Sequence, residues 1–309
     1  MKASIVIPTY NKLPRLKLAM ASLKNQNYPF EKFEVIIVDN GSTDGTADFL
    51  ESYRPSFDLK YLHMENKGRA AARNKGLEYA MNELVIFTDD DLILSPDFIS
   101  EHVRLQKENN GVVHGKIINL SYLKFFEDPS NGILYSYLNN GRPINEAMKS
   151  KCISETDILN RFEEVIAPND RVSAIEMVIW RILEEEIQDI SWIGFTGGNV
   201  SVTKEILNHT GVFNENFGLN WGCEDLELGY RICRKGYKFT YGDKAMNYHI
   251  SHYRPNFDIE HSKTAQLFYE KYKDPNILYF QDFVAGKISG SHFEGLIKNV
   301  HTEPIGEIV

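Results

Sequence analysis

Two adjacent acids follow an aromatic ring in the segment FNENFGLNWGCEDLELGYR, residues 213–231. Trp221 and Gly222 predict a turn directly before Glu224 and Asp225, which begin an amphipathic helical pattern. An indole ring can stack on the face of a sugar, and a neighbouring carboxylate can accept the proton of a sugar hydroxyl. Acids are also common in the first turn of a helix, where the dipole favours them. That structural interpretation does not account for the tryptophan and glycine beside them.

Three consecutive acids, Asp89, Asp90 and Asp91, directly follow the apolar run at residues 84–88. Carboxylates this close together repel one another unless a cation lies between them. A hard divalent ion takes oxygen ligands, so the pattern predicts a site for Mn²⁺ or Mg²⁺. An isolated triplet would be interpreted as a solvated acidic loop. Its position after a fully apolar strand favours the metal site.

Further polar candidates lie elsewhere in the first half of the chain. Asp39 ends an apolar run, where its carboxylate could accept a hydrogen bond from a nucleotide base or ribose. An Asx-type turn through Asn40 and Gly41 is the competing interpretation. Arg69 or Arg73, near the start of a helical segment, could meet a diphosphate, although an arginine within a helix is more often solvated.

The second half contributes two more patterns. Gly197 and Gly198 lie in a glycine-rich connection that lets a ligand approach the backbone, which fits the wall of a sugar site. No phosphate-binding motif surrounds them. His249 and His252 are interpreted either as an ordinary core or surface pair or as neutral imidazoles that complete a metal shell.

Strand and helix signals alternate along the first half of the chain. Short apolar runs separated by segments of helical spacing occupy residues 4–7, 34–38, 59–64 and 84–88. This alternation predicts an α/β fold with a mostly parallel sheet. Ligands of such sheets bind beyond the carboxyl ends of the strands, which is where the segment PTY at residues 8–10, Asp39 and the three acids fall.

Composition sets the outer limits. A chain of 309 residues with 42% hydrophobic and 25% charged residues is typical of a soluble globular protein. The net charge of −9 argues against nucleic-acid binding. Three cysteines without metal spacing indicate reduced thiols, and no signal peptide or spanning run is evident, so we expect a cytoplasmic protein. The sequence leaves open whether the protein contacts the inner face of a membrane and whether it forms a homodimer.

Several motifs together resemble one family. IVIPTYN, VIIVDNGSTDGT, ARNKG and FTDDD resemble the nucleotide-sugar half of the metal-dependent family 2 glycosyltransferases. The stretch from GGNVSVTKE through WGCEDLELGYR to AMNYH is similar to the carboxyl half of animal β-1,4-galactosyltransferases and bacterial chondroitin polymerase modules. The motifs occur in the family's order, which makes the set specific. The resemblance implies the nucleotide-diphospho-sugar transferase (GT-A) fold, a mostly parallel central sheet flanked by helices.

The sequence pattern and the resemblance together predict an organisation for the chain. Residues 1–252 would form the catalytic domain, with a nucleotide-sugar half at 1–119, a helical insertion at 120–189 and an acceptor half at 190–252. Residues 253–309 would form a carboxyl-terminal helical extension. The insertion and the extension lie outside the resemblance. We interpret the insertion either as helices that pack on the sheet or as a lid or acceptor platform.

Roles on the donor side follow from the same resemblance. The positions assigned to the nucleotide and the donor sugar are Pro8, Thr9, Tyr10, Asn11, Asp39, Arg73, Asp89, Asp90, Gly197 and Gly198. Asp91 and His249 would bind the metal, with Asp89 and His252 as the alternatives. Because the three acids are consecutive, the sequence leaves open which of them binds the metal and which binds the donor.

On the acceptor side, the resemblance makes Asp225 the general base and assigns acceptor binding to Trp221, Gly222 and Glu224. Cys223 stands where the family usually has a second glycine, so the backbone approach can differ there. Retaining relatives, the polypeptide GalNAc-transferases, tend to carry asparagine at the position of Asp225. The aspartate therefore favours inversion.

The predicted activity is metal-dependent, inverting transfer of a hexose or N-acetylhexosamine from a UDP-sugar to a hydroxyl of a carbohydrate or glycoconjugate, such as a growing surface polysaccharide. Retaining transfer on the same fold and a non-catalytic sugar-binding module are the alternatives. A nucleotidyltransferase is a further alternative. It would need a basic glycine-rich loop near the first strand, and the segment PTYN lacks one.

Overall fold

Strands and helices alternate through the amino-terminal part of the chain. The computed structural model describes residues 1–136, 150–252, 254 and 256–300. The first elements are β1 (Ala3–Thr9), α1 (Leu13–Lys24), β2 (Phe33–Asp39), α2 (Thr46–Ser52), β3 (Asp58–His63), α3 (Arg69–Tyr79) and β4 (Leu84–Thr88). Because β1, β2 and β4 are buried along their whole length, both faces of these strands are covered.

The chain then crosses to the other side of the sheet. The next elements are β5 (Leu92–Leu94), α4 (Phe98–Glu108), β6 (Val112–Asn119), the hairpin β7 (Phe126–Asp128) and β8 (Ile133–Leu134), α5 (Glu155–Asn160), α6 (Phe162–Val165) and α7 (Ala174–Glu184). The last elements are a 3₁₀ helix (Gln188–Gly194), β9 (Asn199–Thr203), α8 (Lys204–Thr210), α9 (Glu224–Arg234), β10 (Phe239–His249), α10 (Phe257–Tyr272), α11 (Pro275–Val284) and α12 (Gly290–Val300).

The main sheet has the strand order β3-β2-β1-β4-β9-β6-β10-β5 within the described part of the chain. Neighbours β3, β2, β1 and β4 are parallel, and β6 is parallel to β10. Strand β9 is antiparallel to β4 and β6, and β5 is antiparallel to β10. This mostly parallel sheet between helices confirms the predicted α/β fold. Its turning point brings the end of β4 beside the start of β9.

The predicted insertion combines a hairpin with helices. Helix α7 buries Val178, Ile179 and Ile182 against the core, as the sequence spacing predicts. Residues 137–149 of this segment lie outside the described residues, as do residues 301–309 of the predicted extension. No helix in the described ranges has the length and apolarity needed to cross a bilayer.

The carboxyl-terminal helices pack on the body of the protein. Trp192 is fully buried, and its ring meets Phe268 and Phe280 edge to face at centroid distances of 5.5 and 5.7 Å. These aromatic contacts place α10 and α11 against the 3₁₀ helix and α9. The predicted boundary at residue 252 stays a prediction, but the residues after it share a core with those before it.

Candidate active site

Two neighbouring clefts open at the carboxyl ends of the parallel strands. The strand-end cleft, of about 240 Å³, is lined by Pro8, Thr9 and Tyr10 after β1 and by Asp89 and Asp90 after β4. The carboxylate cleft, of about 230 Å³, is lined by Asp91, His249, Glu224 and Asp225, with Gly198 and Gly222. Both clefts share Arg69, Asp89, Trp221 and Arg254, so they form one continuous site.

Asp91 lies at the centre of a small cluster of metal-ligating groups. Its Oδ2 is 3.0 Å from His252 Nε2 and 3.7 Å from His249 Nε2, and the three ligand atoms lie within 4.8 Å of one another. Burial disfavours the charged form of Asp91, but the Lys12 ammonium, 2.7 Å from Oδ2, and His249 outweigh it and hold the pKa of Asp91 well below its ordinary value. Asp91 is therefore ionised at neutral pH.

The chemistry of this cluster fits a divalent ion. Burial lowers the pKa of His252 to about 4, so its imidazole is neutral and can donate a lone pair. His249 places Nδ1 3.2 Å from Asn119 Oδ1, a contact that orients the ring. One carboxylate with two imidazoles suits a transition ion such as Mn²⁺. The Lys12 ammonium lies in the same space, 3.3 Å from His252 Nε2.

The other two acids of the triplet have separate partners. Asp90 accepts a hydrogen bond of 2.8 Å from Thr9 Oγ1 and lies 3.4 Å from the Lys12 ammonium. Burial raises the pKa of Asp90. Asp89 instead pairs with Arg73. The predicted alternative ligand Asp89 is thus absent from the metal-ligating cluster found among the described residues, whereas the alternative His252 belongs to it.

Arg73 connects Asp89, which follows β4, with Glu224, which begins α9. Its side chain is fully buried and donates to Asp89 Oδ1 at 2.9 Å and to Glu224 Oε1 at 3.0 Å. It lines neither cleft, and its donors are directed at the two acids, so the placement of Arg73 near the nucleotide and diphosphate stays a prediction. Arg69, one turn earlier on α3, lines both clefts and keeps about a third of its side chain exposed.

Gly197 is required by this bridge. A Cβ at Gly197 would lie 2.3 Å from the guanidinium carbon of Arg73. The Arg73 side chain therefore makes a close approach to the backbone at Gly197, and a donor contact at Gly197 stays a prediction. Gly198, the next residue, does line the carboxylate cleft, where a Cβ would come within 3.6 Å of Asp89 Oδ2.

Asp225 begins helix α9 without a cationic partner in ion-pair contact among the described residues. Its Oδ2 accepts the Gly197 N–H at 2.9 Å and its Oδ1 accepts the Leu226 N–H at 2.8 Å. Burial and the adjacent Glu224 raise the pKa of Asp225 to about 6, although Arg73 and these hydrogen bonds oppose the shift. A half-buried carboxylate with this pKa is suited to accept a proton near neutral pH.

Trp221 stands between the clefts. Its ring lies 4.7 Å from that of Phe257, and the Arg254 guanidinium lies 4.6 Å from its centre. Gly222 has φ of +109°, and Cys223 has φ of +60°, in the left-handed region that favours glycine. Cys223 thus adopts a left-handed backbone conformation that is more usual for glycine.

Two residues that were predicted to bind the nucleotide-sugar accept hydrogen bonds from loop backbone in the structure. Asp39 is fully buried, and its Oδ1 accepts the Ser42 N–H at 2.8 Å, which is the turn that competed with a nucleotide contact. Its neighbour Asn40 lines the strand-end cleft. Asn11 Oδ1 accepts the Thr43 N–H at 2.7 Å and joins the loops after β1 and β2. Neither Asp39 nor Asn11 lines the two clefts described above.

Three residues of the site were missed by the sequence prediction. They are Lys12 and Arg254, which supply cations, and Asn119, which orients His249. The available signal was closeness in sequence to residues already predicted. Lys12 directly follows the PTYN segment, and Arg254 lies two residues after His252.

Sequence comparison identifies the family. Residues 4–156 match the family model described as Glycosyl transferase family 2, and residues 185–261 match the model described as N-terminal domain of galactosyltransferase. The chain belongs to glycosyltransferase family 2.

The chain is 33% identical over 263 residues to the uncharacterized glycosyltransferase YfnE of Bacillus subtilis. It is 30% identical over 257 residues to the chondroitin synthase of Escherichia coli. These matches cover 82% and 80% of this family 2 chain, but 65% and 34% of the two relatives. The chain therefore spans less than two thirds of the length of either protein.

Solved structures confirm the GT-A fold. TarS of S. aureus in complex with UDP-GlcNAc matches 95% of this chain and 69% of its own, with a TM-score of 0.54 and 21% identity. The mannosyltransferase PcManGT from Pyrobaculum calidifontis, in complex with GDP-Man and Mn²⁺, matches 88% of this chain and 64% of its own, with a TM-score of 0.57 and 19% identity.

Proposed function

We propose that this protein transfers a hexose or N-acetylhexosamine from a UDP-sugar to a hydroxyl of a carbohydrate or glycoconjugate, with a divalent metal and with inversion. One observation carries the proposal. Asp91 and His249 line the same cleft as Asp225, which has no ion-pair partner among the described residues, and Trp221 lines both this cleft and the next. A metal-ligating group and a candidate base therefore line one cleft.

The strand-end cleft supports a nucleotide-sugar donor. Tyr10 is about half exposed there and offers a ring face, while Asn40 offers amide hydrogen bonds. Arg69 and Arg254 add two guanidinium groups, which suit the diphosphate of a donor. The structural neighbours that hold UDP-GlcNAc and GDP-Man with Mn²⁺ support the same class of ligand. The likeness to a chondroitin synthase supports a carbohydrate acceptor.

Asp91, His249 and His252 would hold the metal. The bound ion would supply positive charge to stabilise the departing diphosphate. Lys12 adds a second positive charge at the junction between Asp91 and Asp90. The chain thereby concentrates cationic groups on the side of the site where the leaving group would develop negative charge.

Asp225 would act on the opposite reactant. Glu224 lies 3.0 Å from a guanidinium nitrogen of Arg73 and 3.5 Å from one of Arg69, and these contacts orient its carboxylate as a hydrogen-bond acceptor. Asp225 has backbone partners and no ion-pair partner among the described residues, which leaves it able to take up a proton. The acceptor oxygen would bond to the anomeric carbon as the bond to the UDP oxygen breaks, and the hydroxyl proton would pass to Asp225. A single displacement of this kind inverts the anomeric centre.

Calorimetry tests the donor and metal part of the proposal. We expect UDP to bind the wild-type protein more tightly with Mn²⁺ than without it, and Asp91→Ala to abolish that difference. Asp243→Ala, which changes an exposed acid on β10, is the matched control and should bind like the wild type. Wild-type UDP affinity that does not respond to Mn²⁺ would count against metal-dependent donor binding.

An activity screen tests the transfer. Release of UDP from a panel of UDP-linked glucose, galactose and their N-acetylamino forms, with Mn²⁺ present, should identify one preferred donor. That donor is then offered with simple glycosides as acceptors. Absence of UDP release and of transfer from every member of the panel would refute the proposed function.

A further inference from the structure

The carboxylate cleft has an apolar side as well as an acidic one. Ile175, Ile193, Phe280 and Val284 line this side, and we call these four residues the apolar wall. They come from the first turn of α7, the 3₁₀ helix and helix α11. Ile193 and Phe280 are buried, whereas Ile175 and Val284 are partly exposed.

The apolar wall is fixed in place by the core. The Phe280 ring packs against Trp192 at 5.7 Å and against Phe293 at 5.7 Å, and Ile193 belongs to the same hydrophobic cluster. Such aromatic packing holds the side chain in one position. The wall is therefore a preformed surface of the cleft.

Most of the apolar wall comes from segments that the family resemblance does not explain. Ile175 lies between the two matched segments, and Phe280 and Val284 lie after the second one. The predicted insertion and the predicted carboxyl-terminal extension thus meet at this single surface. Family membership does not assign a ligand to it.

The chemistry of the wall is unsuited to a sugar. Sugar hydroxyls that leave water need hydrogen-bond partners, and four hydrocarbon side chains offer none. The acidic side of the same cleft, with Glu224, Asp225 and Trp221, offers both acceptors and an aromatic face. A ligand that fills the whole cleft would therefore be polar at one end and apolar at the other.

We propose that the acceptor is a glycoside with an apolar aglycone, whose sugar faces Asp225 and whose aglycone packs on the apolar wall. This inference rests on the proposed function, because it assigns the carboxylate cleft to the acceptor. An aromatic group and an alkyl chain share the required chemistry. Both would be recognised through burial of hydrocarbon surface, which adds binding energy in proportion to the area removed from water.

Acceptor kinetics test this inference. With the donor found by the screen above, the probes are the methyl, phenyl and octyl glycosides of one sugar, the octyl compound below its micelle concentration. We expect phenyl or octyl to exceed methyl by about tenfold or more in kcat/KM, mainly through a lower KM. A preference for phenyl indicates an aromatic source, and a preference for octyl indicates a lipid-like source. Equal kcat/KM for the three glycosides would overturn the inference.

Two variants locate the preference on the wall. Ile175→Asn and Val284→Thr change partly exposed members, which avoids the core packing of Phe280. We expect each to reduce the ratio of apolar to methyl acceptor by about threefold to tenfold. Met177→Asn, on an exposed position of the same helix, should leave the ratio unchanged. A ratio that stays at the wild-type value in both wall variants would refute the assignment.

The ratio also separates the two proposals. A protein that fails to release UDP from any donor refutes the proposed function. A protein that transfers to methyl, phenyl and octyl glycosides equally well keeps the proposed function and loses only the apolar aglycone. A loss of folding would lower all three rates together, so it would not imitate a change in the ratio.

Discussion

The acids after β4 and the acids at the start of α9 have the same chemistry but different neighbours. Asp91 lies 2.7 Å from the Lys12 ammonium, and Glu224 lies 3.0 Å from a guanidinium nitrogen of Arg73. Asp225 receives only two backbone N–H groups as hydrogen-bond donors among the described residues. Asp91, in contact with the Lys12 ammonium, has a lowered pKa, whereas Asp225, which has only backbone donors, has a raised one.

This difference suits the acids to different proposed roles in the site. An ionised carboxylate such as that of Asp91 can bind a metal, whereas a carboxylate with a raised pKa can exchange a proton near neutral pH. The pKa of Asp91 is well below its ordinary value, and that of Asp225 is raised to about 6. Four experiments test this contrast, beginning with the largest expected effect.

Asp225→Asn should remove the proposed base while keeping its shape. We expect transfer to fall by about 10²–10⁴, the usual contribution of general-base catalysis, while UDP still binds. Transfer rates and a UDP titration measure the two effects separately. The control is Asp243→Asn at an exposed position. Near-normal turnover of Asp225→Asn would show that another group accepts the proton.

Arg73→Met should destabilise the protein, because it removes the buried guanidinium between Asp89 and Glu224. Removing the guanidinium leaves Glu224 buried without its charge partner and takes away the partner of Asp89. We expect a loss of about 3–5 kcal/mol in the free energy of unfolding, measured with urea. Arg104→Met is the control, because Arg104 also contacts two acids but is exposed, and we expect a loss of about 1 kcal/mol or less. Similar losses in both variants would contradict the proposed bridge.

The pH dependence should report Asp225. Its pKa is raised to about 6, so the protonated form, which cannot act as a base, dominates below that pH. We expect kcat/KM to fall about tenfold for each pH unit below about 6 and to level off above it. The residual activity of Asp225→Asn should lack this acid limb. A wild-type profile that stays flat from pH 7 to pH 5 would rule out this assignment.

Lys12→Met should strengthen metal binding. The Lys12 ammonium competes for the Asp91 carboxylate, so its removal frees the ligand. We expect Mn²⁺ affinity without nucleotide, measured by calorimetry, to rise about tenfold. Lys17→Met, on helix α1 directly after Lys12, is the control, because its ammonium lies over the Phe49 ring instead. Weaker Mn²⁺ binding by Lys12→Met would mean that the lysine supports the metal site.

The sequence predicted the positions that follow directly from strand ends. Tyr10, Asp89 and Asp91 lie at the carboxyl ends of buried parallel strands, and the apolar runs define those strands. The start of α9 at Glu224 was also evident, because its acids precede a clear helical repeat. These features depend on local pattern, so the sequence contains them.

Pairing between distant residues could not be predicted in the same way. Arg73 is 151 residues from Glu224, and nothing in its helix distinguishes a buried arginine from a solvated one. Lys12 contacts Asp91 directly after Asn11, whose φ of +51° turns the chain at the end of β1. The apolar wall likewise joins three segments that are far apart in sequence. Each of these depends on how the elements pack.

Arg73 also affects how the protein can be divided. One guanidinium neutralises an acid from each half of the chain, so α3 and α9 satisfy each other's charges only when both are folded together. An amino-terminal fragment alone would keep the cation and lose Glu224, and a carboxyl-terminal fragment would keep that acid without its counter-ion. This buried ion pair therefore couples the stability of the two halves.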